Sequence, residues 1–171
     1  MITLPRLRTL SVALLLTVPM AQVALAQVTV TDPWVRGTVA EQKATGAFMR
    51  LTAPVDSRVV EARSPVAGTV EIHEMKMDNG VMRMRAMPAL TLPANQAVDL
   101  APGGYHVMLM GLKQVLKPGD SVPLTLVVEG PDKQRRNIEV SAPVRALNAS
   151  PAGASGHGSG HGSGHGSGHK H

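Results

Sequence analysis

The chain has 171 residues with 17 Lys and Arg against 12 Asp and Glu, a formal charge of +5, one Trp, one Tyr, one Phe and no cysteine. Without cysteine there is no disulfide framework, no thiolate metal ligation, no blue-copper centre with its Cys ligand and no covalent haem attachment. The charge is mild and scattered, with no Lys/Arg cluster interleaved with aromatics, which argues against a nucleic-acid partner.

Residues 1–26 read as an export leader. Arg6 and Arg8 precede an apolar run from Leu10 through Val18, and Ala24-Leu25-Ala26 gives the small-residue pattern of signal-peptidase cleavage. A mature chain starting at Gln27 keeps 15 basic and 12 acidic residues, a charge of +3. No later apolar run is long enough to span a bilayer. The expected product is periplasmic, with no membrane span once the leader is removed.

From residue 27 to about 147 the sequence is rich in Val, Leu, Thr and Met, enough for one small domain. Its hydrophobic period is two. Val28-Thr29-Val30 leads to Trp34-Val35, followed by runs at Ala47–Leu51, Thr69–His73, Tyr105–Leu109 and Leu124–Val128. Pro54, Pro65, Gly80, Pro88, Pro93, Pro102-Gly103-Gly104, Pro118-Gly119 and Pro131 punctuate these runs. No stretch sustains helical periodicity beyond about two turns. Short strands bounded by turns predict an all-β fold, an antiparallel sandwich or barrel, with Trp34 in its core.

Within this domain His73 and Met84 are separated by ten residues, and after twenty-one more come His106 and Met108 around one Val. Asn79-Gly80 between two strand-like segments is a strong signal for a two-residue type I′ hairpin. That turn sets Met75 opposite Met84 and makes His73 and Met84 diagonal neighbours on one face. His106 and Met108 share a face by strand alternation, and the Pro102-Gly103-Gly104 turn upstream places them near an end of the sheet. Two imidazoles and two thioethers suit soft, d¹⁰ copper(I). Zinc prefers Cys, His and carboxylate, and calcium or magnesium needs clustered oxygens, which are absent.

A different reading of the same window is a plastic core. Seven methionines lie between Met75 and Met110, and Met75, Met77, Met82, Met87 and Met110 can all serve as packing residues. On that reading the protein is an exported structural or adhesive β domain with a metal-scavenging tail. An enzyme is the weaker alternative, since no open coordination position or acid–base pair stands out.

From residue 148 the chain is dominated by Gly, Ser, His and a few small residues, with His157, His161, His165, His169 and His171 spaced along a His-Gly-Ser-Gly repeat. Nothing in it can form a packed core, so it is expected to be a flexible, metal-binding tail. Neutral imidazoles there suit copper(II).

Asp32-Pro33-Trp34-Val35-Arg36, Val70–Met75 and Pro102–Lys113, together with the His, ten residues, Met, twenty-one residues, His-x-Met spacing, resemble the PCuAC family of periplasmic copper chaperones. The likeness covers roughly residues 27–145. It implies a cupredoxin-like Greek-key β-barrel that binds one copper(I) through His73, Met84, His106 and Met108. It further implies delivery to the dinuclear CuA centre of a cytochrome c oxidase, or exchange with another periplasmic copper chaperone. Some family members also carry a His- and Met-rich C-terminal extension for copper(II). Where the family commonly has a Met directly after the first His, this chain has Glu74.

Overall fold

A computed structural model describes residues 27–149. The leader assigned to residues 1–26 and the tail histidines His157, His161, His165, His169 and His171 lie outside the described residues.

Ten strands and no helix occur among the described residues: β1 (Thr29–Arg36), β2 (Ala44–Thr52), β3 (Ser57–Arg63), β4 (Thr69–Asp78), β5 (Val81–Met87), β6 (Leu90–Leu92), β7 (Ala97–Leu100), β8 (Tyr105–Met110), β9 (Ser121–Glu129) and β10 (Arg135–Arg145). They pair in the order β5-β4-β8-β7-β2-β1-β10-β9-β3-β6, with β8 also pairing β2. The order wraps into a nearly closed barrel-like sheet, the all-β cupredoxin-like architecture expected from the sequence. Most pairs are antiparallel. The first and last strands run parallel, with Val35 opposite Val144, and β7 meets β8 in a single parallel pair. The β1/β10 pair joins the β5-to-β1 half of the order to the β10-to-β6 half. A parallel pair needs a long crossover, and here nearly the whole domain forms it.

Alternation sorts the residues of the β1, β2, β4 and β8 wall onto two faces. Val35, Ala47, Met49, Ile72, Val107 and Leu109 point inward, where they meet Val59, Leu124, Leu126, Val140 and Ala142 from the opposite wall in one apolar cluster. Each fully buried Leu or Val of this cluster contributes on the order of 1.5–3 kcal/mol of transfer free energy. The opposite, outward face of the same wall carries Trp34, Phe48, His73, His106 and Met108. Trp34 is buried as expected, at 2 % exposure, but on this second face rather than in the main apolar cluster.

Two turns position the outward face. Asn79 and Gly80 both take positive φ, 50° and 80°, and join β4 to β5 as the expected two-residue hairpin. The register follows: Met75 faces Met84 and His73 faces Ala86. Upstream of β8, the Gly104 N–H donates to the Ala101 carbonyl at 3.0 Å, with Gly103 at φ 85° in the third position of the turn. Only a residue without Cβ takes that conformation readily, and Pro102 pre-sets the position before it.

Candidate metal centre

His73 on β4 and His106 on β8 stand directly opposite one another, their rings 5.7 Å apart between centroids and tilted at 65°. Met108, two residues along β8, faces Glu71 on one side and Gly46 of β2 on the other. Met84 reaches the same face from β5, diagonal to His73. His106, Met108, Met84 and Met75 line one cleft of about 240 Å³ with Phe48 and Arg36 on its walls. Three adjacent strands thus bring the four expected residues to one face. Strand pairing places His73 in that group through its contact with His106.

The two imidazoles are buried, His73 at 9 % exposure and His106 at 5 %, whereas Met84 is 48 % exposed. The donor set therefore has a dry inner side and a thioether at the solvent boundary. A row of rings backs the dry side. His106 lies 6.3 Å from Phe48, and Phe48 lies 4.5 Å from Trp34. The Arg36 guanidinium sits 5.3 Å over the Phe48 ring and that of Arg145 5.2 Å over Trp34.

Hydrogen bonding fixes which ring nitrogens remain available. The carbonyl of Gly104 can only accept, so His106 Nδ1 carries the proton of their 3.1 Å bond and Nε2 keeps its lone pair. The same carbonyl accepts the Met75 N–H at 3.1 Å, which ties β4 to the turn that orients His106. His73 Nε2 donates to the Glu71 carboxylate at 2.8 Å, and His73 Nδ1 is left buried with no hydrogen-bond partner. A buried ring nitrogen without a partner is costly unless something occupies it. A metal ion bound at Nδ1 of the neutral ring would remove the cost.

Charges of both signs border the site, the Glu71 carboxylate on His73 and the Arg36 guanidinium on the cleft wall. Burial pushes the His106 imidazole below its ordinary range, with the neighbouring His73 and Arg36 acting in the same direction against the Gly104 bond. The shift favours the neutral ring, the form that ligates metal. Arg36 is a fixed cation on the cleft wall, with its Nε buried and unpaired. Coulomb repulsion from it doubles for a dication relative to a monocation. Among the described residues no group of three or more His, Cys, Asp or Glu forms a metal site. The donors present are imidazole and thioether, the combination that favours a soft monovalent ion.

The methionines of the β4–β5 hairpin differ from the packing reading. Met77 is 59 % exposed and Met82 44 %. The hairpin projects beyond the body of the sheet and β5 is an edge strand, so the thioethers near its tip have no layer to pack against. Glu71, which the ligand spacing does not include, joins the candidate site through its bond to His73. Its position two residues before His73 on a strand was the available signal.

Residues 28–144 match the family model of the LpqE-like lipoproteins. A curated relative named as a lipoprotein, Lxx21020 of Leifsonia xyli subsp. xyli, is 35 % identical over 100 residues, and the match spans 58 % of this chain and 60 % of the relative's length. The copper-bound PCuAC domain from PmoF2 superposes with a TM-score of 0.58 at 23 % identity, over 72 % of this chain and 96 % of that domain, a likeness of fold. The copper(I) form of DR1885 from Deinococcus radiodurans is 32 % identical with a TM-score of 0.55, over 73 % of this chain and 83 % of that one. With its four spaced His and Met residues on one face of a cupredoxin-like sheet, the chain belongs to the LpqE-like, or PCuAC, family.

Proposed function

We propose that the protein is an exported copper chaperone that carries one copper(I) ion between His73, Met84, His106 and Met108 and surrenders it by ligand exchange. The observation that carries this reading is the direct pairing of His73 and His106, with two thioethers on the same face and His73 Nδ1 buried without a partner. The copper-bound states named for the PmoF2 domain and DR1885 support it.

The arrangement suits transfer rather than catalysis. Four protein donors saturate the ion and leave no open position for a substrate. Thioethers are neutral and require no deprotonation, so one can leave and be replaced without a proton change. Met84, at the solvent boundary, is the donor an incoming ligand displaces first. His73 and His106 release last, from the dry side. The receiving site is the CuA centre of a cytochrome c oxidase or another periplasmic copper chaperone. The apolar leader and the lipoprotein family agree on export, although none of the 171 residues is a cysteine that could carry a lipid. The His-rich tail binds copper(II) near the domain, its tether giving a high effective concentration.

Anaerobic titration against a chromophoric copper(I) chelator tests the proposal. One tight equivalent is expected, and a His106→Ala, Met108→Ala double variant with a native circular dichroism spectrum should lose it. Equal competition by the two proteins overturns the reading.

A further inference from the structure

The β4–β5 hairpin sorts its side chains by chemistry. Met75, Met77, Met82 and Met84 fall on one face, in two facing pairs, Met75 with Met84 and Met77 with Met82. Lys76, Asp78, Arg83, Glu74 and Arg85 fall on the other, where Arg83 pairs with Asp78 at 3.2 Å and Arg85 with Glu74 at 2.6 Å. Between residues 74 and 85 no carboxylate lies on the thioether face; Glu71, nearer the start of β4 on that face, is engaged by His73.

Both methionine pairs occupy positions where the side chains approach most closely. The two-residue turn makes Asp78 and Val81 the first hydrogen-bonded pair, so alternation makes 77/82 and 75/84 non-hydrogen-bonded pairs. The Met75 N–H agrees, since it points away from β5 and donates to Gly104. Facing Cβ atoms at such positions are about 4.5–5.5 Å apart, and successive same-face residues about 6.5–7 Å along the strand. Methionine side chains are long, unbranched and adaptable, so thioethers of neighbouring pairs can share one ion. The sulfur-bearing side chains of Met77 and Met82 are open to solvent, and the ladder ends on Met84, the exposed member of the proposed four-ligand set.

We infer that Met75, Met77 and Met82 form a second, weaker copper(I) site on the exposed hairpin, from which the ion passes to Met84 and the buried imidazoles. This rests on the reading of His73, Met84, His106 and Met108 as the tight site. Neutral thioethers without carboxylates select a soft monovalent ion over hard divalent ones. Passage requires only exchange of one thioether for the next. The copper remains monovalent throughout, and no proton or electron moves.

The test uses the full chain labelled with methyl-¹³C methionine, titrated anaerobically with copper(I) and followed by two-dimensional NMR. The first equivalent should shift the ε-methyls of Met84 and Met108, and copper beyond it should shift those of Met77 and Met82. In a Met77→Leu, Met82→Leu variant, which keeps apolar volume while removing sulfur, the first-equivalent shifts of Met84 and Met108 should persist, while chelator competition should show fewer weak equivalents than wild type. In the His106→Ala, Met108→Ala variant, Met77 and Met82 should still respond. If the Met77 and Met82 methyls stay fixed under excess copper(I), or if the leucine variant retains every weak equivalent, the ladder is not a site. Failure of Met84 and Met108 to shift at the first equivalent refutes instead the four-ligand reading. Copper captured by the tail histidines leaves the Met77 and Met82 methyls unmoved and therefore counts against the ladder.

Discussion

Gly46 is the residue whose enlargement should disturb the metal centre without touching a ligand. It lies on β2 opposite Met108, and a Cβ added there would fall 2.8 Å from Phe48 Cζ and 3.3 and 3.4 Å from the two Cε atoms. The Phe48 ring has little room to yield. Trp34 lies 4.5 Å away, the Arg36 guanidinium 5.3 Å over the ring and His106 6.3 Å away, all between centres. Two terms oppose each other in Gly46→Ala. Reduced freedom of the unfolded chain stabilises by about 0.4–1 kcal/mol. Overpacking of a constrained site costs about 1–3 kcal/mol. The second wins, so the variant should be less stable by about 1–2 kcal/mol and should bind copper(I) more weakly because His106 loses its wall. Urea unfolding followed through the single Trp, which touches the displaced ring, measures the first effect, and chelator competition the second. A variant as stable as wild type, or more so, with unchanged copper affinity would refute the reasoning.

Glu71→Gln keeps the size of the side chain while removing the charge that orients His73 Nε2–H. Loss of such an outer partner typically costs 10–100-fold in metal affinity, and because an amide still accepts one hydrogen bond the drop should be about tenfold; chelator competition reads it. Glu129, 6 % exposed and bonded to Arg58 at 2.6 Å, has its carboxyl held below the ordinary range first by Arg58. A lowered folded pKa stabilises above the unfolded value of about 4.3 and loses that stability as pH falls through the folded value. Acid unfolding of Glu129→Gln should therefore show a flatter pH dependence below about pH 4.3 than wild type, together with lower stability at neutral pH. Deleting residues 150–171 should lower the copper(II) stoichiometry seen by equilibrium dialysis and leave the tight copper(I) equivalent in place.

Much of the candidate site's geometry was legible because the local chemistry dictated it. Asn79-Gly80 specified a two-residue turn, the turn specified the register, and the register set His73 and Met84 on one face. Strand alternation did the same for His106 and Met108. The hydrophobic period located β1, β2, β4, β8 and β9. The remaining strands were harder to read. β6 and β7 are only three and four residues long, too short for a period to show. β10 does alternate, with Val140, Ala142 and Val144 buried, but Pro143 sits within it, and proline argues against a strand flanked on both sides. The backbone accommodates it because the pairing with β1 covers only Val144 and Arg145, beyond the proline. The burial of the other methionines was not legible. Met49 in the core and Met77 in solvent differ by which strands continue alongside them, a tertiary fact that spacing does not carry.

The most direct test of the central claim is copper K-edge X-ray absorption on the anaerobic one-equivalent complex of the full chain. An inner shell of two imidazole nitrogens and two thioether sulfurs at a monovalent edge is expected. A shell of nitrogen and oxygen alone, without sulfur, would contradict it.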